Sequence, residues 1–282
     1  MHRAVLALAL GLLSTAPAAA VQPGVPEPVR LPDGKPNWTG FWALQGGVLQ
    51  KDFGPGFVAP APKAGDQAKE VAPKQDDKAD GSGEPKLVGP AALLKSPYRE
   101  QFIEILKKEA QGEPAFDPTS VCFPPGMPRM MNMTYGMEIL QTPKVIAITS
   151  EWGPGTRRIW MDGRSHPPAE ILDPTYAGHS IGRWEGDVLV VDTVGLRTEA
   201  VITQQGLMHS DKLRLEERFY SPKPGVLVDE ITVIDPEVFT APWKMVRAYD
   251  FMPELSLQEY VCQDNNRNIT PDGKPDFGPS AR

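Results

Sequence analysis

The sequence has no apolar run long enough to cross a bilayer, which requires about 20 residues; the run at residues 5–13 is too short. Positive charge is also in deficit, because 29 Lys and Arg stand against 36 Asp and Glu, for a net charge of -7. This balance argues against binding to nucleic acid or to an anionic membrane surface. We therefore expect neither nucleic acid as a partner nor membrane insertion of the mature chain.

Several motifs of catalysis are missing. The chain contains no G-x-S-x-G, no P-loop and no G-x-G-x-x-G pattern, which excludes the simplest serine hydrolase, nucleotide hydrolase and dinucleotide enzyme. Histidine is scarce, with four in all, and no H-x-H or H-E-x-x-H spacing indicates zinc. We therefore predict no metal and no organic cofactor.

The first 20 residues have the pattern of a secretory signal peptide. Arg3 provides the positive start, an apolar run follows, and the small residues Ala18, Ala19 and Ala20 provide a cleavage site. The sequence therefore predicts a periplasmic or secreted protein. In such an oxidising compartment the only two cysteines, Cys122 and Cys262, are expected to form a disulfide, with a reactive thiol or metal ligand as the alternative.

The distribution of residue types outlines one domain. Residues 21–36 are proline-rich and predict an extended segment, and residues 62–86 carry almost no large apolar side chain, which predicts a flexible insertion. Residues 97–111 predict a helix that is capped by Ser96 and begins at Pro97. We expect residues 37–282 to form a single β domain around these features.

Strand patterns dominate the remainder, beginning with a first strand between residues 37 and 49. Short turns rich in Gly and Pro separate the later candidates, as in consecutive hairpins. Such a series predicts a mainly β fold, an antiparallel meander closing into a lipocalin-like β-barrel, with a two-sheet sandwich as the alternative. The later candidates are residues 137–142, 145–152, 156–162, 179–184, 187–194, 212–220, 226–234, 244–252 and 256–261.

Hairpin register predicts which side chains face each other. If Glu185 and Gly186 form a two-residue turn, His179 lies opposite Asp192, and the carboxylate would orient the imidazole as a general base. The alternative is a structural hydrogen bond at a strand end. A three-residue turn would instead place His179 opposite Thr193.

A pair of carboxylates is a second candidate for acid/base chemistry. With a turn at Pro143 and Lys144, Glu138 lies opposite Thr149 and diagonal to Glu151. The following hairpin places Glu151 opposite Arg157, which favours a salt bridge as the competing interpretation. The sequence thus leaves both roles open.

Substrate contacts are predicted from residues near strand ends and in one loop. Methionine side chains adapt to varied ligands, and arginine beside them suits an apolar or aromatic molecule with an acidic group. The candidates for substrate binding are Arg129, Met131, Trp160, His166, Arg183 and His209.

Several strings carry a resemblance. The strings CFPPGMPRMM at 122–131, GHSIGRWEGD at 178–187 and EYVC at 259–262 resemble an uncharacterised family of secreted bacterial proteins. The resemblance implies secretion and brings no catalytic assignment. The string Gly40-Phe41-Trp42 is similar to the Gly-x-Trp start of lipocalins, which implies a barrel.

The first functional hypothesis is a periplasmic barrel enzyme that performs metal-independent acid/base chemistry, as a lyase or isomerase, on an apolar, aromatic small molecule. The alternatives are a carrier of the same ligand and an envelope interaction module. Fold alone does not distinguish the three.

Overall fold

The computed structural model describes residues 30–45, 85–112, 117–133, 135–152 and 155–265. The predicted signal peptide lies outside the described residues, as does most of the predicted insertion and of the extended segment. Within the described residues, nine strands and one α-helix are formed, in the order β1 (Gly40–Leu44), α1 (Tyr98–Ala110), β2 (Met137–Gln141), β3 (Val145–Ser150), β4 (Thr156–Trp160), β5 (His179–Glu185), β6 (Val188–Val194), β7 (Arg214–Lys223), β8 (Val226–Ile234) and β9 (Trp243–Phe251).

The strands form one closed barrel, which confirms the predicted fold class. Each strand pairs with the next, and β1 closes the ring by pairing with both β2 and β9. The predicted meander is interrupted once, because β4 and β5 run parallel. A parallel pair needs a long crossover instead of a hairpin, and residues 161–178 form that crossover.

The strand predictions succeed for β1, which lies within the predicted 37–49, and for β2 to β9, and they fail for residues 256–261. That segment is largely exposed and has no strand structure, so no buried face holds it in the sheet. The ninth position in the barrel belongs to β1 instead. Its Trp42 pairs with Phe251 of β9 and with Met137 of β2.

Helix α1 agrees with its prediction to within one residue at each end, and Phe102 and Ile103 form its buried face. The predicted cap is wrong: Pro97 occupies the N-cap position, where no side chain caps the helix. Among the described residues, no helix is both long and apolar enough to cross a membrane.

Side chains fill the barrel interior. Aliphatic and aromatic residues such as Ile148, Leu227 and Ile231 are buried there. They surround an ion pair between Arg157 of β4 and Glu217 of β7, both fully buried. Because β4 and β7 are not neighbours in the sheet, this pair must span the interior. Because these side chains occupy the interior, a ligand site is expected on the outer surface of the barrel.

The predicted disulfide between Cys122 and Cys262 is present, with Cα atoms 5.6 Å apart. It joins the loop before β2 to the segment that follows β9. Both segments lie outside the barrel sheet, so the bond restrains structures that the strand hydrogen bonds do not.

Candidate functional site

A pocket of about 430 Å³ lies on the outer wall of the barrel, at β4. Strand alternation explains its position, because Arg157 and Ile159 are buried in the interior while Thr156, Arg158 and Trp160 face outward. The loop at residues 124–130 forms a second wall, and residues 175–178 of the crossover form a third. The parallel β4–β5 connection therefore creates the site.

Three aromatic side chains, Trp152, Trp160 and Tyr176, line the pocket. Trp152 stacks on Tyr260 with ring centroids 4.9 Å apart, and Tyr135 contacts both rings. On the other side, the Arg164 guanidinium lies 3.8 Å from the centroid of the Trp160 ring. Such contacts hold large rings in defined orientations.

Two arginines near the pocket differ in their partners. Arg164 donates two hydrogen bonds from Nε and one from Nη2 to the Asp162 carboxylate, and this contact lowers the pKa of Asp162 to about 2. Arg158 lines the pocket and has no side-chain hydrogen bond or ion pair with any described residue. The free guanidinium in the pocket is thus that of Arg158.

A chain of titratable groups lies beside the pocket. His179 Nδ1 and His166 Nδ1 are 2.8 Å apart, and His166 Nε2 lies 3.6 Å from Asp192 Oδ2. Arg214 donates hydrogen bonds of 2.8 and 2.9 Å to the two Asp192 oxygens. The crossover thus inserts His166 between the two residues that the sequence predicted to form a direct pair.

The predicted register of the β5–β6 hairpin is wrong, because Gly186 and Asp187 form the turn and Glu185 pairs with Val188. His179 therefore pairs with Val194 and Asp192 with Ile181. Each partner has moved by two positions, so His179 and Asp192 stay on one face of the sheet as diagonal neighbours. His166 fills the space between them.

Burial lowers the pKa of both histidines. For His179, the charges of His166 and Arg164 add to the loss of solvent. For His166, the charge of Arg214 adds to burial, while Asp192 acts in the opposite direction. A lowered imidazole pKa keeps the ring neutral near pH 7, which a general base requires.

The histidine chain adjoins the pocket through the sheet itself. In the parallel ladder, Ile159 of β4 pairs with Ser180 of β5. Arg158 and His179 each lie one residue earlier on their strands. Because side chains alternate along a strand, both face outward on neighbouring strands. Gly178, next to His179, is part of the pocket lining.

The two candidate carboxylates lie elsewhere. Glu138 pairs with Thr149 as predicted. The predicted contact between Glu151 and Arg157 is wrong, because Arg157 pairs with Ile148 and points into the interior towards Glu217. Glu151 Oε1 instead accepts a hydrogen bond from the Gln258 backbone N–H at 3.1 Å.

Five of the six predicted substrate contacts do not line the pocket. Arg129 is buried and forms two hydrogen bonds of 2.7 Å with Asp117. Met131 lies in the core, and Arg183 forms an exposed ion pair with Glu185. His209 is buried, with Nδ1 2.9 Å from the Ser210 carbonyl oxygen. The structure brings Trp160 to the pocket and His166 to the histidine chain.

Sequence reasoning missed Arg158, Trp152, Tyr176 and Met130, all of which line the pocket. One signal was available for Arg158: in a strand, adjacent arginines point to opposite faces, so one of Arg157 and Arg158 had to face outward. The other three come from loops, for which no periodicity exists to be read.

Within the described ranges, no group of three or more His, Cys, Asp or Glu side chains is arranged to hold a metal ion. Comparison of the sequence with protein-family models finds no match, and neither a curated protein nor a solved structure matches the chain. The geometry of the outer-wall pocket and the adjacent histidine chain is therefore the basis for functional inference.

Proposed function

We propose that this protein is a periplasmic or secreted β-barrel enzyme that performs metal-independent acid/base chemistry, as a lyase or isomerase, on an apolar, aromatic small molecule. The observation that carries the proposal is the contact of 2.8 Å between His166 and His179 beside an aromatic pocket. The disulfide between Cys122 and Cys262 supports an oxidising compartment.

The arrangement favours His179 as the base. Asp192 near His166 Nε2 favours the tautomer of His166 that carries its proton on that atom. His166 Nδ1 then accepts a hydrogen bond from His179 Nδ1–H. The lone pair of His179 Nε2 remains available to a substrate, and this atom has no hydrogen-bond partner among the described residues.

In the proposed reaction, His179 Nε2 removes a proton from a carbon atom of the substrate. An isomerase would return this proton to a different carbon, whereas a lyase would expel a leaving group with the released electron pair. Asp192 and His166 would stabilise the imidazolium that forms between the two steps.

Proton exchange with solvent tests this proposal. A panel of aromatic compounds would be incubated with the mature protein in D₂O, and loss of C–H signals would be followed by NMR. We expect exchange with the native protein and a loss of roughly 100-fold or more in His179→Gln, because general-base catalysis contributes about that much. Arg218→Gln, which removes an exposed charge paired with Glu185, is the control.

Asp192→Asn should also slow exchange, because the amide can donate to His166 and so favour the wrong tautomer. Native exchange rates in both His179→Gln and Asp192→Asn would refute the assignment of the base.

The pH dependence of the same exchange is a further prediction. Both histidines have a lowered pKa in the folded protein, so the neutral base is present above the ordinary value of about 6.5. We expect the rate to be constant near neutral pH and to fall only as the pH drops below that value. A fall that begins above pH 7 would contradict the proposal.

A ligand carrier is the second candidate. Trp152, Trp160 and Tyr176 line the pocket without any contribution from the histidines, and they suffice for binding. Binding of a panel compound without proton exchange by the native protein would favour the carrier.

A further inference from the structure

We propose that Arg158 is a carboxylate-binding residue and that the outer-wall pocket selects aromatic carboxylates. The inference rests on the proposed function in taking this pocket as the substrate site, and it adds the chemical class of the ligand. Sequence patterns placed the anion contact at Arg129 or Arg183, both of which have other partners in the structure.

The first argument is the state of the arginines. Arg129, Arg157 and Arg164 are each bound to a carboxylate of the protein. Arg158 has no such partner among the described residues, although acidic residues outnumber basic residues in the chain. An unpaired guanidinium in a pocket retains all of its donors for a ligand.

The second argument is the charge balance around the pocket. Two of the acidic residues near the pocket are already bound, Asp162 by Arg164 and Asp192 by Arg214. Neither carboxylate is therefore free to neutralise Arg158. Among the residues that line the pocket, Arg158 is the charged one, and its positive charge would attract an anion.

The third argument is shape. A planar guanidinium binds a carboxylate through two parallel N–H···O bonds. Around it, the side chains of Trp152, Trp160 and Tyr176 line the pocket, and the volume of about 430 Å³ falls in the range of small-molecule sites. Together these features fit a flat apolar body that carries one carboxylate.

The fourth argument links binding to chemistry. Arg158 and His179 each lie one residue before the Ile159–Ser180 pair of the parallel ladder, on neighbouring strands whose usual spacing is about 4.8 Å. A carboxylate held by Arg158 would bring its attached carbon atoms close to the histidine chain. Arg158 would in this way position the substrate for the base.

The test compares matched acids and neutral amides. Affinities of phenylacetate, cinnamate and indole-3-acetate, and of the corresponding amides, would be measured by calorimetry on the mature, disulfide-bonded protein. We expect at least one acid to bind about 10-fold or more tightly than its amide, as a charged hydrogen bond provides. High salt should reduce this preference.

Variants assign the preference to one residue. Arg158→Gln should abolish the difference between acid and amide, and Arg158→Lys should keep only part of it because the ammonium group lacks the planar fork. The matched control is Arg99→Gln, which removes another arginine without a side-chain partner among the described residues, on α1 and outside the pocket. It should leave the preference unchanged.

Equal affinity for acids and amides, an unchanged preference in Arg158→Gln, or no binding by any panel member would each overturn the inference. Failure of the proposed function is distinguishable. A carboxylate preference that depends on Arg158, without proton exchange by the native protein, would sustain the inference and reject the enzyme.

Discussion

At the scale of the residue, the most unusual group outside the site is the carboxyl of Asp229 in the barrel interior. It is fully buried, and neither oxygen has a hydrogen-bond partner among the described residues. Burial raises its pKa well above the ordinary value, and the nearby charge of Glu217 acts in the same direction. Arg157 and Arg247 oppose the shift without reversing it. As the pH rises, Asp229 therefore keeps its proton to a higher pH in the folded protein than in the unfolded chain.

This proton predicts a pH effect on stability. Because the folded pKa is raised, the contribution of Asp229 is fully present below the unfolded value of about 3.9 and is lost as the pH rises, at up to roughly 1.4 kcal/mol per pH unit. Asp229→Asn removes this loss. We expect the free energy of unfolding of the variant, relative to the native protein, to increase between pH 4 and pH 7 in urea titrations.

The buried ion pair provides the contrast. Glu217→Gln leaves the Arg157 guanidinium buried without its carboxylate, and loss of one partner of such a pair costs about 3–5 kcal/mol. This variant should be destabilised at neutral pH.

For the Asp229 prediction, the contrary outcome is that the stabilities of Asp229→Asn and of the native protein change in parallel with pH. That result would show that Asp229 is ionised in the folded protein.

At the scale of the element, the β5–β6 hairpin shows how a turn determines function. Gly186 has a φ of +63° at the first central position of the two-residue turn, which is the feature of type II′ turns. The predicted turn lay one residue earlier. The shift of the turn by one residue keeps His179 and Asp192 on the same face of the sheet, because the alternation of side chains along each strand is a local property. The same shift removes the direct pairing of His179 with Asp192, because the pairing register depends on the position of the turn.

Gly186→Ala tests the turn. A Cβ at this position would meet no atom within 4 Å, so the expected cost is that of the left-handed φ alone, about 1–2 kcal/mol. Gly155→Ala is a suitable control, because the Cβ there also meets nothing and the φ is not positive. Thermal unfolding should separate the two variants, and equal stabilities would contradict the turn assignment.

At the scale of the whole molecule, the disulfide connects the loop that forms the second wall of the pocket to the segment that carries Tyr260. Cys122 precedes the loop at residues 124–130, and Cys262 follows Tyr260, which stacks on Trp152. The segment from residue 252 to 262 is largely exposed and lies outside the barrel sheet. The bond is therefore a main restraint on the position of Tyr260.

Replacing both cysteines by serine should have two effects. The free energy of unfolding should fall by about 2–5 kcal/mol, as for the loss of other native disulfides. Affinity for aromatic carboxylates should fall as well, because Tyr260 no longer supports Trp152. Tyr260→Ala separates the effects, since it should weaken binding with little loss of stability. Unchanged affinity in both variants would show that Tyr260 does not contribute to binding.

The sequence by itself determined the features that depend on local patterns. Alternation and turn residues predicted eight strands to within a few residues, periodicity predicted α1, and the cysteine pair predicted the disulfide. Local patterns did not predict which strand closes the barrel, because the pairing of β1 with β9 joins residues some 200 positions apart.

The tertiary structure alone decided where the site lies. The parallel β4–β5 pair sends residues 161–178 across the outside of the barrel, which places His166 beside His179 and builds the third wall of the pocket. Arg157 forms the interior ion pair with Glu217, whereas Arg158 faces outward and lines the pocket. Such contacts depend on packing between distant segments, and no spacing along the chain encodes them.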